Sequence, residues 1–269
     1  MKKLFIILSV LFLQLGSSTL SAYDFEHVSL SGGADINSNY LFRGSTYGGL
    51  NVQPWIEFNY RWFTVGVWNN LGAGNYFDNF KTFVPETDIY FSITSPGDWV
   101  TLSVVHYYYY DGSGFFSYKN DRDNSTQTEL GLEIRFSENY PFVLNINTMV
   151  GGGDCYAWDG TYLDKKLYST YISLKYEYEV SENIYIEPEI GFSPYKSCYT
   201  YYNPETGEHS PFALNNISLK GIYTIYPGEI ISISLLGQVH TNLFNVGQGH
   251  FSDIPGSTFG WNIGINVEL

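Results

Sequence analysis

Apolar and polar residues alternate with a period of two along most of the chain. The last segment shows it most clearly. From Phe259 onward, Trp261, Ile263, Ile265, Val267 and Leu269 share one face, and Gly260, Asn262, Gly264, Asn266 and Glu268 share the other. Side chains of an extended strand point alternately to its two faces, so this pattern predicts a strand with one apolar and one small or polar face. The same rhythm recurs at Val28–Ile36, Leu50–Phe58, Phe63–Val67, Thr87–Ile93, Val100–Val104, Leu130–Phe136, Phe142–Ile146, Thr170–Tyr178, Ile184–Phe192, Ile217–Ile225 and Ile231–Val239. About 12 strands result, each near the length that crosses a bilayer when tilted.

The connections fall into two alternating classes. Short turns are expected near 60–62, 95–98, 137–141, 181–183 and 226–229, with turn signals such as Ser95-Pro96-Gly97-Asp98 and Tyr226-Pro227-Gly228-Glu229. Long loops are expected near 37–49, 69–86, 109–126, 151–167, 193–212 and 241–257. Short periplasmic turns and longer outer loops describe a single closed antiparallel transmembrane β-barrel, an all-β fold, and an even strand count puts both termini in the periplasm. Aromatics at strand ends fit two interfacial girdles: Tyr60, Trp62, Trp99, Tyr140, Phe142 and Tyr226 beside the turns, and Trp68, Tyr107 to Tyr110, Tyr168 and Phe259 toward the loops. Pro54 and Pro188 sit against this pattern. Proline inside a strand marks an edge or a bulge, and a closed barrel has no edge.

Composition narrows the class further. The chain has 269 residues, of which 44% are hydrophobic, 19% aromatic and only 15% charged, against roughly a quarter charged in ordinary soluble domains. Helical bundles need more Ala, Leu, Glu and Lys, and disordered chains cannot keep so many aromatics solvated. The formal net charge of −14 has the wrong sign for a nucleic-acid partner. At the start, Lys2 and Lys3 precede the apolar run Leu4 to Leu13, followed by Gly16, Ser17, Ser18, Thr19, Ser21 and Ala22. This reads as a secretory signal peptide over residues 1–22, leaving 23–269 as the barrel. The implied location is the outer membrane of a Gram-negative bacterium, with outer-membrane lipid and the outer-membrane assembly machinery as partners.

Strand parity sorts the charges onto the inner face. Glu57, Asp88, Glu129, Glu133, Glu177, Glu187 and Glu189 point inward with Arg135, Lys175 and Lys220. Counting outward from the 181–183 turn, Lys175 faces Glu189 and Glu177 faces Glu187. The second pair is like-charged, so a cation or protonation is expected to relieve it. Two readings stay open. The charges form a polar plug that satisfies itself, or they line a narrow acidic path that favours cations or neutral polar solutes.

Three stretches carry a family resemblance. Ser38-Asn39-Tyr40-Leu41-Phe42-Arg43-Gly44 resembles the opening motif of the TorF-type porin family, which has Ser-Asp-Tyr, two residues, then Arg-Gly; Asn39 stands where that family has Asp. Gly66-Val67-Trp68-Asn69-Asn70 and Glu86-Thr87-Asp88-Ile89-Tyr90 are similar to its third and fourth strands. The resemblance covers about the first third of the chain and implies an outer-membrane barrel with a porin role; it supplies no substrate. From the residues themselves, Tyr40, Arg43 and Gly44 form a Gly-hinged loop, in which Arg43 either ties the loop to a lumen carboxylate or contacts a solute.

The expected function is therefore a porin-like channel that passes small polar solutes or cations by passive diffusion. The alternatives are a plugged structural or surface-adhesion barrel and an outer-membrane barrel hydrolase. The chain carries five histidines, His27, His106, His209, His240 and His250. His240 is the inward candidate base, but no nucleophile elbow, metal-spaced His pair or phosphate loop accompanies it. No enzyme, metal or cofactor is expected.

Cys155 and Cys198 fall in the fourth and fifth long loops, on the same outer side of neighbouring hairpins. In an exported chain they are expected to pair. Closing a loop of about 44 residues would stabilise the protein by roughly 3–4 kcal/mol in the chain-entropy model. Labelling of the unreduced, denatured protein should find no accessible thiol; two labelled thiols per chain would contradict the pairing.

Overall fold

The structure, a computed structural model, describes residues 27–46, 49–72, 85–110, 114–116, 126–137, 139–154, 166–200, 202–203, 208–228, 230–241 and 259–269. The expected signal peptide lies outside these residues. Twelve strands form the wall. They are β1 Val28–Asn37, β2 Asn51–Tyr60, β3 Phe63–Gly72, β4 Glu86–Thr94, β5 Val100–Tyr109 and β6 Thr126–Ser137. The remainder are β7 Tyr140–Gly152, β8 Thr170–Tyr176 with its continuation Tyr178–Ser181, β9 Ile184–Ser193, β10 Ala213–Pro227, β11 Ser232–Thr241 and β12 Phe259–Glu268. Each pairs antiparallel with its chain neighbours, and β12 returns to pair with β1, so the sheet closes on itself. This is the all-β barrel that the alternation predicts.

The seam between the first and last strands is stitched from both sides. Ile36 sits opposite Ile265 and Gly33 opposite Glu268, and Leu269 donates its N–H to the Gly32 carbonyl at 2.7 Å. Inside the barrel, Asn262 donates to Asn37 at 2.8 Å and Asn37 donates to Gln53 at 3.1 Å. Asn266 reaches Asp35 at 2.7 Å. Side-chain amides thus bridge three strands at the place where the two ends of the sheet meet, which fixes register as well as closure.

The apolar face is the outer wall. Leu30, Ile56, Phe58, Val65, Phe91, Leu102, Leu130, Leu219, Leu235 and Ile263 are all exposed. The buried side chains are instead mostly polar, among them Asn51, Gln53, Glu86, Asp88, Glu129, Asn215 and Asn262. A water-soluble sandwich reverses this order. A barrel in lipid needs it, because the surrounding hydrocarbon takes the place of an apolar core.

The two prolines are accommodated without an edge. Pro54 pairs with Ala34 of β1. On its other side the β2–β3 ladder runs to Val52–Leu71 and resumes at Trp55–Trp68, lapsing where proline has no N–H to give. Pro188 pairs with Leu219 of β10. The β8–β9 ladder lapses opposite it, between Lys175–Glu189 and Tyr178–Ile186, and β8 is interrupted there at Glu177. The Glu177 N–H is not lost; it donates to the Pro141 carbonyl on β7 at 2.8 Å. One-sided lapses are therefore how this closed wall carries proline.

The girdle expectation holds at the turn end, where Tyr60, Trp62, Trp99, Tyr140, Phe142 and Tyr226 are exposed. At the loop end Tyr110, Tyr168 and Phe259 are exposed, but Tyr107 and Tyr108 are buried. Trp68 packs against Tyr40 of the first loop, ring centroids 5.7 Å apart. Its cross-strand partners Trp55 and Asp88 are lumen residues, so Trp68 faces inward rather than joining the girdle.

Leu219 lies mid-strand on the outer face and is 48% exposed. In lipid, Leu219→Arg should destabilise the refolded protein by roughly 2–4 kcal/mol in denaturant titrations. A change within about 0.5 kcal/mol is what an ordinary water-facing position would give.

Candidate functional site

The first long loop does not lie over the mouth of the barrel. It turns into the lumen. Ser38 and Asn39 make the bend by gripping the end of β12. The Ile263 N–H donates to Ser38 Oγ at 2.9 Å, and Asn39 Nδ2 donates to the Trp261 carbonyl at 2.9 Å. Leu41–Phe42 and Ser45–Thr46 then pair as a small hairpin with Arg43 and Gly44 at its tip. Both tip residues have positive φ, 49° and 81°, as a two-residue type I′ turn requires. Gly44 is also sterically fixed: a Cβ there would overlap the Asn215 carbonyl of β10. The Arg43-Gly44 pair of the motif is the tip of an inserted hairpin.

Arg43 reaches across the bore to β6. Its Nη1 and Nη2 donate to the two carboxylate oxygens of Glu129 at 2.6 and 2.8 Å. Both side chains are almost wholly buried, with 8% and 2% of their surface exposed. The Tyr107 hydroxyl donates to the same carboxylate at 3.0 Å, and Arg43 Nη1 also donates to the Tyr199 hydroxyl at 2.5 Å. The guanidinium lies 4.6 Å from the Phe42 ring centre, 5.0 Å from Tyr171 and 5.3 Å from Tyr199. A bidentate ion pair walled by aromatic faces is the arrangement in which a buried arginine is best compensated. Met149, Tyr107, Tyr171 and Tyr199 complete a compact cluster around it.

Tyr199 comes from the fifth long loop, which also bends inward. Its carbonyl accepts from Asn215 Nδ2 at 2.7 Å. The neighbouring Cys198 N–H donates to Ser169 Oγ at 2.7 Å, and Ser169 in turn donates from N and Oγ to Asp154 at 2.8 and 2.5 Å. Burial pushes the Asp154 carboxyl up to about 6, and the hydrogen bonds from Ser169 oppose that rise. Cys155 lies outside the described residues. Its neighbour Asp154 and the other cysteine, Cys198, meet on the same serine.

Toward the turn end, the charges named from parity form ladders of their own. Arg135 donates to Glu133 at 2.9 Å and to Glu177 at 2.6 Å. Lys175 stands opposite Glu189 in the ladder, as counted from the turn, yet its Nζ reaches diagonally to Glu187 at 3.4 Å. Lys220 is the cross-strand partner of Glu187 on the other side. Glu189 accepts from the Tyr171 hydroxyl at 3.0 Å. The like-charged Glu177 and Glu187 are thus relieved by Arg135 and Lys175. No external cation or proton is required, because long basic side chains reach a diagonal neighbour as readily as a direct one.

On the opposite wall, Glu57 accepts from the Tyr90 hydroxyl at 2.7 Å, and Asp88 is buried. Both line a cavity of about 450 Å³ with Tyr40, Phe42, Trp55, Trp68, Tyr90, Val105 and Tyr107. His240 is buried near Thr46 Oγ1, 3.4 Å away. A threonine hydroxyl at that distance, on a hairpin, is not an activated nucleophile of the Ser–His kind. His106 is capped by Phe115 and Phe116 and contacts the Phe115 carbonyl at 2.9 Å. No group of three or more metal-ligating side chains occurs among the described residues. The side chain of His209, and His250 altogether, lie outside them.

Parity found the charged inner face but missed its aromatic part. Tyr171 follows from alternation with Ile172–Leu174 and Tyr107 from alternation with Leu102–Val104, although Tyr107 read as a girdle residue; Tyr199 comes from a loop and carries no such signal. Glu86, which accepts hydrogen bonds from Tyr40 and Tyr109, lies two residues from Asp88 toward the loop end on the same inner face and could have been read from the same strand.

No family model matches the chain, and no curated protein matches it. Among solved structures it is similar to the CymD monoaromatic hydrocarbon channel, at 10% identity and a TM-score of 0.36 over 90% of this chain and 87% of that one. It is similar to the outer membrane channel DcaP of Acinetobacter baumannii at 13% identity and a TM-score of 0.33, covering 89% and 70%. A structure from a study of the in-meso crystallisation of membrane proteins aligns at 10% identity and a TM-score of 0.43, covering 89% and 83%. These likenesses are distant, and the description of the site stands on the chain's own geometry.

Glu129→Gln leaves Arg43 buried without its counter-charge. Losing one partner of a buried pair costs roughly 3–5 kcal/mol, more than a two-residue hairpin can supply on its own. The hairpin should therefore leave its seat, and amide exchange at residues 41–46 should accelerate strongly while exchange in the β1–β12 seam stays unchanged. Retained protection at 41–46 would show that the ion pair does not hold the loop.

Proposed function

We propose that this protein is an outer-membrane channel of limited bore, passing small polar solutes or cations by passive diffusion. The observation that carries this reading is the inversion of the wall: an apolar belt outside, and a lumen lined by charged and hydroxyl-bearing side chains. The signal-like start, the outer-membrane location and the need for lipid and assembly machinery follow from the same reading. The Ser38–Gly44 motif supports a place in the TorF-type porin family.

Selectivity follows from the count of inward charges. The inward acids Glu57, Asp88, Glu129, Glu133, Glu177, Glu187 and Glu189, joined by Asp35 and Glu86, outnumber Arg135, Lys175 and Lys220 on the wall and Arg43 on the hairpin. Walls of low dielectric strengthen the field of the surplus acids, so the path favours cations. A second reading has one specific observation behind it. The Arg43–Glu129 pair seats a hairpin across the bore, and a hairpin that never moves makes the protein a plugged structural barrel.

Planar-bilayer recording of the refolded chain separates the two. The channel reading expects discrete conductance with a reversal potential on the cation side in a KCl gradient. The double substitution Glu133→Gln with Glu187→Gln should shift that potential toward zero. Silent bilayers containing correctly folded, heat-modifiable protein would favour the plug.

A further inference from the structure

We propose that the cavity between the inserted hairpin and the β2–β5 wall is a binding site for organic cations, alkylated ammonium groups in particular. The cavity measures about 450 Å³, within the range of small-molecule sites. Six of its nine lining residues are aromatic: Tyr40, Phe42, Trp55, Trp68, Tyr90 and Tyr107. Their rings stand at angles to one another rather than stacked flat. Tyr40 is tilted 48° to Trp68 at 5.7 Å, and Phe42 meets Tyr107 edge-on at 6.5 Å. Rings that are not stacked flat on one another leave faces free for a ligand, and ring faces carry the negative end of the aromatic quadrupole.

Val105 and two carboxylates complete the lining, and none of the lining residues is basic. Glu57 is held by the Tyr90 hydroxyl. Asp88 is only 8% exposed, and its Oδ1 has no hydrogen-bond partner among the described residues. A buried carboxylate oxygen without a donor is costly. Arg43, which lies over the Phe42 ring, is committed to Glu129 and does not line the cavity. A ligand that brings positive charge and little need for hydrogen bonds answers all of these features together. A calcium ion, which takes six to eight oxygen ligands, finds only two carboxylates and three tyrosine hydroxyls in this lining. An alkylated ammonium fits, because it is weakly hydrated and binds ring faces directly.

The hairpin itself shows that the lumen uses this chemistry. Arg43 is held by one carboxylate and three ring faces, those of Phe42, Tyr171 and Tyr199. The proposed site repeats that recipe across the Phe42 ring. The inference goes beyond the channel reading and does not require the barrel to conduct, because binding is read at equilibrium on the folded protein.

The test is equilibrium binding to the folded protein in detergent at constant ionic strength, by calorimetry and by the fluorescence of Trp55 and Trp68. The probes are choline and its uncharged isostere 3,3-dimethylbutan-1-ol. Choline should bind saturably, and the isostere should bind at least about tenfold more weakly. Asp88→Asn should weaken choline at least about tenfold while leaving the isostere unchanged, and Glu57→Gln serves as the second variant should Asp88→Asn not refold. Equal affinity for the two probes would make the cavity merely apolar and overturn the proposal. So would the absence of saturable choline binding up to roughly 100 mM, or maltose binding where choline does not.

Discussion

Closure of the hydrogen-bond ladder is the constraint on which everything else in this barrel depends. A strand wall surrounded by hydrocarbon has no water to satisfy a stray N–H or C=O, so it has no tolerance for an edge. The chain meets that demand at one place that sequence order does not supply, the junction of β1 with β12. The amide ladder Asn262–Asn37–Gln53 lies directly behind it. The same demand explains the treatment of proline. The ladder lapses on one side only at Pro54 and at Pro188, and Glu177 beside the second lapse keeps its in-register bond to the Pro141 carbonyl of β7.

Once the wall is closed, the inside becomes the problem. Twelve strands enclose a space that charged side chains from opposite walls cannot all bridge. The turn-end charges solve this among near neighbours, through Arg135 with Glu133 and Glu177, and Lys175 with Glu187. Glu129 sits deeper, and its counter-charge arrives on the tip of a loop. The left-handed backbone at Arg43 costs about 1–2 kcal/mol. A bidentate pair in a dry aromatic setting offsets this, which is why a strained residue stays at the hairpin tip. The hairpin also builds the adjacent cavity, since Tyr40 and Phe42 form one of its walls.

Much of the wall was legible in the chain. Alternation located every strand of the wall, though not those of the inserted hairpin, and counting from the 181–183 turn placed Lys175 opposite Glu189. Alternation is a local, geometric signal, and a barrel obeys it on both faces. It does not report how far a side chain reaches, so the diagonal Lys175–Glu187 contact was out of view. It also fails at the loop ends. Trp68 read as a girdle residue because it is aromatic and near a loop, but its parity puts it inside, beside Tyr40. The Arg43 motif announced a hinged loop and two fates for the arginine, while the partner, Glu129, stood 86 residues away with nothing in the spacing to join them. Tyr199 belongs to a loop with no periodicity at all, and only the folded chain brings it to Arg43.

The central claim is that β10 and its neighbours present one face to lipid and the other to an aqueous lumen. Spin labels placed singly at positions 217 to 225 of β10, in reconstituted membranes, test this directly. Accessibility to dissolved oxygen should peak at 217, 219, 223 and 225, and accessibility to a water-soluble nickel complex should peak at 218, 220 and 224, a clean period of two. Uniform access of the nickel complex to both faces would contradict the account.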